Sequence, residues 1–297
     1  MTRVATPAFR LRMAKQKAEA LLREEGIVAL LVDPFAIAAS RDIAVQPKPD
    51  TAEGVSGMLL RHGDDFGILY ATHILSEGFQ RFSVSHELGH YFLDGHIDHV
   101  LPRDGVHISR AGFLSADPYE LEADHFAAGL LMPSRAFQSA IGSRPPGLAA
   151  VEALAGLCRA SLPATAIRYA ELAEDAVAIL VSTGTKIEYC FLSESMKSLP
   201  QLAWLRKGMP VPSETATARL NASPERVEAA VRSGAEIDIM DWLGGNRSVA
   251  AIEEVVGLGR YGKTLTVLTC PSIRDETCDE DEDCEEHLIR RWTPRFR

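Results

Sequence analysis

The run His86-Glu87-Leu88-Gly89-His90 limits what this chain can fold into more than any other stretch. Residues four apart on a helix share a face with their Cβ atoms about 5–6 Å apart, so the two imidazoles converge on one point. Such a pair suits a single Zn²⁺ ion, with Glu87 reaching toward water that the metal binds. The helix that carries the run must then turn an ionisable face inward. The rest of the fold must supply a third ligand and leave a fourth position open. The competing reading is a surface helix with two solvated histidines.

Apolar spacing puts the run on a helix over residues 79–95, with Phe82, Leu88, Tyr91 and Phe92 sharing parts of an inner face and Gly95 as C-cap. Upstream, residues 9–40 read as two helices, the first ended by Gly26 and the second started by Asp33-Pro34. Gly54–Thr72 reads as a β-hairpin or meander, its apolar clusters MLL and GILY separated by HGDDFG. Residues 96–116 read as a loop. A sharply bounded helix follows, with Asp117 as N-cap, Pro118 at its first position and Met132-Pro133 as its stop. Residues 148–172 read as two helices around a turn at Ser161-Leu162-Pro163. Beyond residue 175 the stretches AVAILVS, TKIEYCFL and LTVLTC read as strands, with one helical segment near Glu225–Arg232. The fold class is α+β, with a domain boundary near residue 175.

Two residues compete for the third ligand position. His96 stands at the spacing of HExxHxxGxxH, but that pattern needs a glycine where this chain has Leu93, and the nearby glycine is Gly95. Glu120 and Asp124 are four apart on the sharply bounded helix, so their carboxylates point the same way. One of them can ligate the metal while the other accepts the Nδ1–H of a ligand histidine and fixes its tautomer. Against this, Asp117-x-x-Glu120 is also a capping box, and Glu122 and Asp124 also fit a solvated helix face. Spacing leaves both candidates open. Tyr119, His125 and His107 are near in sequence and read as structural or solvent-facing.

The run RFSVSHELGHYFLDGH (Arg81–His96), followed by ELEADHFAAGLLMP (Glu120–Pro133), resembles the ImmA/IrrE family of zinc metallopeptidases, whose members show an RFTLAHELGH-like helix and then an ExEAN-FA-LLMP helix. The resemblance extends upstream to ALLREEGI, DPFAIAASRDIAV and Val55-Ser56-Gly57, and covers the first 175 residues. It implies a zincin-like metallopeptidase domain over residues 1–145, a helix-turn-helix-like module over 146–175 and a C-terminal regulatory domain over 176–297 that is β-rich and GAF- or PAS-like. It also implies zinc, or Mn²⁺ on the same ligands, held by His86, His90 and Glu120, with Glu87 as the catalytic base. Asp124 stands where the family has Asn and can accept the same hydrogen bond from a ligand histidine. The implied substrate is a helix-turn-helix transcriptional repressor, whose cleavage would derepress stress-response or mobile-element genes. The alternative is a metal-binding regulator or antitoxin-like partner that sequesters a protein without cutting it.

Charge narrows the partners. The formal net charge is −10, yet nine carboxylates fall within the twelve residues Asp275–Glu286, which leaves 32 acidic against 31 basic residues elsewhere. The helical pair at 148–172 carries Arg159 and Arg168 against Glu152 and Glu171, too little positive charge for direct DNA binding. Packing, or docking of a protein partner, is the expected role. The cysteines, five in number and widely spread, fit reduced thiols. Cys270, Cys278, Cys284 and His287 match no tight metal-binding knuckle. The apolar run Val28–Val32 is cut short by Asp33 and Pro34, and the first twenty residues mix charges through any apolar stretch, so neither a membrane span nor a secretory signal is expected. These features together predict a cytoplasmic protein.

Overall fold

A computed structural model describes residues 6–48, 54–101, 105–110, 117–246 and 248–274. The acidic segment 275–286, with Cys278, Cys284 and the neighbouring His287, lies outside the described residues. The architecture is mixed α and β, with helices and two separate sheets, as the α+β reading expects. Contacts divide the chain into two compact units. The first holds the described residues up to Ala136 together with Gly156–Ser161, and the second holds Phe137–Ala155 and the described residues from Leu162 onward.

In the first unit, α1 (Pro7–Glu24) starts with Thr6 accepting from the Phe9 amide and Pro7 at the first helical position. It buries Leu11, Ala14, Ala18, Leu21 and Leu22, a helical stripe. The short α2 (Pro34–Ala39) is capped by Asp33 in the same way. The strands β1 (Ala44–Lys48), β2 (Val55–His62) and β3 (Asp65–Ala71) follow, then α3 (Glu77–Phe92), α4 (His96–Val100), β4 (Val106–Arg110) and α5 (Pro118–Leu131). The sheet order is β1-β3-β2-β4, with β1 parallel to β3 and the other pairs antiparallel. The core is built from Leu21 and Leu22 of α1, Leu59 and Ile68 of the sheet, Val84 and Leu88 of α3, and Phe126 and Leu130 of α5.

Two expectations need correction here. The helix of the HExxH run ends at Phe92, with Leu93 in extended conformation as its C-cap. Gly95, at φ 78°, is not that cap. It is the left-handed residue that starts α4, a conformation a Cβ would strain. Residues 96–116 are therefore not all loop, since they contain α4 and the edge strand β4. The register puts His107 of β4 opposite Leu59 of β2, and Ser109 opposite Gly57.

After α6 (Ser134–Ile141) come α7 (Leu148–Cys158) and α8 (Leu162–Leu172), bent by 112° at the break between them. Among the described residues no single helix is long and apolar enough to cross a membrane. The second unit continues with β5 (Asp175–Thr183), β6 (Lys186–Leu192), α9 (Glu194–Lys197), α10 (Ala216–Asn221), α11 (Pro224–Glu228), β7 (Arg232–Asp238), α12 (Met240–Leu243), β8 (Ala250–Gly257) and β9 (Thr264–Arg274). The expected helical segment ends at Glu228, and Arg232 opens a strand instead. All pairings in this sheet are antiparallel, in the order β6-β5-β9-β8-β7. The apolar run of β5 is buried along its length except at Thr183, as expected of a strand covered on both faces. Glu253 of β8 is fully buried and accepts hydrogen bonds from the amides of Ala216 and Thr217 and from the Thr217 hydroxyl, satisfying the first donors of α10.

Candidate metal centre

Helix α3 is buried on most sides, so its polar side chains need partners at hand. Ser83 and Ser85 donate back to the carbonyls of Phe79 and Arg81, at 3.0 and 2.8 Å. His86, Glu87 and His90 are buried as well, and they face α5 and β4. The approach of α3 to α5 is close because Gly89 has no side chain. A Cβ there would lie 3.0 Å from the Ala123 Cα and 3.2 Å from its carbonyl oxygen. The crossing brings Glu120, three residues before Ala123 on α5, between the two histidines.

Glu120 Oε2 lies 3.3 Å from His86 Nε2, and its Oε1 lies 3.3 Å from His90 Nε2. The two Nε2 atoms are 3.1 Å apart. His86, His90 and Glu120 each offer one donor atom within 4.8 Å of the others, a set that could hold a metal ion. The capping-box alternative for Glu120 is not the geometry found. Asp117 accepts from the Tyr119 amide at 2.9 Å, while the Glu120 oxygens face the histidines. Asp124, one turn further on, has Oδ1 at 2.8 Å from His86 Nδ1, so this side chain points into the site and does not lie on a solvated face.

His96 is fully buried, but it does not join these donors. Its Nδ1 is 3.2 Å from the Nδ1 of His90, on the side of that ring away from Glu120. Tyr119 packs edge-on against His96 and stacks on His99, and His125 is half-buried. His107 corrects the sequence reading. It lies 2.9 Å from Glu120 Oε1 by its Nε2, with its ring centroid 4.5 Å from that of His90. Glu87, His90 and His107 form a second set of donors within 4.8 Å. The signal for His107 is the alternation in β4. Val106 and Ile108 are exposed while His107 and Ser109 turn inward, the reverse of a strand lying on an apolar core.

Glu87 is fully buried beside Ser109 and His107, and among the described residues neither of its oxygens has a well-formed hydrogen bond. Room for it depends on Gly57, where a Cβ would lie 2.5 Å from Glu87 Oε1. Burial pushes the Glu87 carboxyl above the usual range, against the pull of the charge on His86 and of Ser109. At His90, burial likewise dominates and lowers the imidazole to about 3. His86 is buried too, yet Asp124 and then Glu120 outweigh the desolvation and raise it to about 10. Glu120 is held well below the carboxylate range, its burial outweighed by His107, His86 and His90. The two facing rings are thus pushed in opposite directions, the one with Asp124 and Glu120 as neighbours upward and the more enclosed His90 downward.

Residues 38–168 match the family model of the IrrE N-terminal-like domain, a peptidase family. No curated protein matches the chain. Among solved structures, a Mycobacterium tuberculosis transcriptional regulator is similar in fold, with a TM-score of 0.50 at 16% sequence identity over 86% of this chain and 76% of that one.

Proposed function

Because residues 38–168 match the family model of the IrrE N-terminal-like domain, we propose that the chain is a zinc-dependent endopeptidase of the gluzincin-like HExxH type, acting in the cytoplasm. The observation that carries the reading is the convergence of His86, His90 and Glu120 beside a fully buried Glu87. Two imidazoles and a carboxylate are the donor set of catalytic zinc, and Mn²⁺ can use the same ligands. Bound there, the metal would polarise the scissile carbonyl and make water a stronger acid. Glu87 takes the proton of the attacking water and returns it to the leaving amine. Its burial supports this role, because a carboxylate raised above its usual range is a better base near neutral pH. Asp124 accepts from His86 Nδ1–H and so leaves Nε2 facing Glu120 as the nitrogen that would hold the metal. His107 supplies an N–H beside Glu120 for the oxygen that gains charge in the transition state.

The substrate we assign is a helix-turn-helix transcriptional repressor, and the outcome of its cleavage is derepression of stress-response or mobile-element genes. A fold shared with a transcriptional regulator fits that setting. Residues 1–145 carry the zincin-like chemistry. The bent pair within residues 146–175 serves as a helix-turn-helix-like module for packing or partner docking. The antiparallel sheet within residues 176–297 serves as a GAF- or PAS-like regulatory domain. Incubating the zinc-loaded chain with its cognate repressor tests the reading. Cleavage by the wild type and none by Glu87→Gln is the expected result. Tight binding of the repressor without cleavage would replace it with sequestration, and equal cleavage by Glu87→Gln would remove Glu87 from the chemistry.

A further inference from the structure

His90 and His86 are both oriented by carboxylates of α5, but by different routes. His86 Nδ1 meets Asp124 directly. His90 Nδ1 meets His96 Nδ1 at 3.2 Å, His96 Nε2 meets Glu122 Oε2 at 3.2 Å, and Glu122 Oε1 meets the Arg10 guanidinium of α1 at 2.6 Å. We propose that His96, Glu122 and Arg10 form a positioning chain that fixes the tautomer and ring angle of His90 as a metal ligand, so that metal affinity depends on a helix outside the HExxH and Glu120 segments. This rests on His86, His90 and Glu120 being the ligands.

Only one placement of protons satisfies the chain. A lone pair is needed on His90 Nε2, which faces Glu120 and His86, so its proton sits on Nδ1 and is donated to His96. His96 then accepts at Nδ1, carries its own proton on Nε2 and donates it to the Glu122 carboxylate. Arg10, permanently cationic, neutralises that carboxylate. His96 is 0% and Glu122 8% exposed, so water does not substitute for either partner. Tyr119 holds the assembly from the side. Its ring meets His96 edge-on at 4.9 Å, and the Arg10 guanidinium lies over it at 5.2 Å. Both nitrogens of His96 are thereby engaged, which is why it serves as a partner of a ligand and not as the third ligand.

The test is zinc affinity of the full chain, read by competition with a chromogenic chelator, with thermal unfolding of the chelator-treated protein as a check on folding. His96→Leu is expected to weaken zinc about 10–100-fold while still binding one ion per chain. His96→Asn, whose amide can accept from His90 and donate to Glu122, should recover part of the loss. Glu122→Gln, nearly isosteric, should also weaken zinc and carries the test if His96→Leu does not fold. Links in series are not additive, so His96→Leu with Glu122→Gln should bind zinc no more weakly than His96→Leu alone. Wild-type affinity in both single variants, or losses that simply add, would overturn the chain. Loss of all stoichiometric zinc in His96→Leu with zinc retained in Glu120→Ala would overturn it by making His96 the ligand. Failure of the ligand reading has a different signature, namely wild-type protein that binds no zinc.

Discussion

Gly89→Ala puts a single methyl group into the closest part of the α3–α5 crossing. That methyl would lie 3.0 Å from the Ala123 Cα, 3.2 Å from its carbonyl oxygen and 3.3 Å from its Cβ. Carbon atoms settle at about 3.5–4.0 Å, so the helices must part by roughly 0.5 Å, because the obstacle is mostly backbone. Alanine in a helix interior is worth about 1 kcal/mol over glycine, and overpacking costs about 1–3 kcal/mol. The chelator-treated protein should therefore range from unchanged to about 2 kcal/mol less stable. Metal sites tolerate about 0.2 Å, and here His86 and His90 ride on α3 while Glu120 rides on α5. Zinc affinity should fall at least about tenfold, or 1.4 kcal/mol. Gly129→Ala is the control. Its Cβ would meet Lys15 of α1 at 3.0, 3.1 and 3.3 Å, nearly the same crowding, but about 13 Å along α5 from Glu120. It should cost similar stability and leave zinc affinity intact. Chelator competition and urea unfolding of the two variants give the comparison. Undiminished zinc binding in a more stable Gly89→Ala, or equal zinc loss in both, would refute the argument.

Three further outcomes follow from the same structure. Burial raises the Glu87 carboxyl above its unfolded value, so its contribution to stability is full below the unfolded value and is lost as pH rises through the folded one. Glu87→Gln should then melt higher than wild type at pH 8 in chelator, with the gain vanishing in the ordinary carboxylate range, and a gain that grows toward acid would contradict the sign. His107→Phe should lower repressor cleavage about 10²–10³-fold with zinc affinity unchanged, whereas parallel loss of zinc would mark His107 as a ligand. Glu253→Ala leaves two amides and a hydroxyl of α10 without their acceptor and should cost about 2–4 kcal/mol in urea unfolding without touching zinc affinity.

Local punctuation made part of this structure legible. Asp117, Pro118 and Met132-Pro133 predict α5 to within a residue at each end, and the i, i+4 spacing predicts that Glu120 and Asp124 act on one side. The strands β7 and β8 were not legible, because RSGAEID and AAIEEVVG carry charges that mask alternation, and Glu253 turns its charge inward to serve α10. His96 has the spacing of a ligand, yet α4 turns it behind His90, a placement that depends on the left-handed Gly95. His107 reads from sequence as structural or solvent-facing, because β4 has only five residues and pairs with a distant strand, so its inward face is set by tertiary register. Gly57 gives no local sign of its purpose, since the side chain it makes room for is thirty positions away.

Helix α5 carries Glu120, Glu122 and Asp124, which between them address His86, His90, His96 and His107. It packs closely at two places, Gly89 against Ala123 and Gly129 against Lys15. Each residue turns the helix by about 100°. One residue inserted or deleted between Glu120 and Gly129 would set the carboxylates out of phase with the glycine contacts, and no side-chain adjustment could restore both. Substitutions along α5 can be judged one at a time, but the spacing from Glu120 to Gly129 is fixed as a unit. Variation in chain length among working versions of this protein must therefore be absorbed outside Glu120–Gly129, and a change of length within that stretch would disrupt the candidate metal centre even if every ligand were kept.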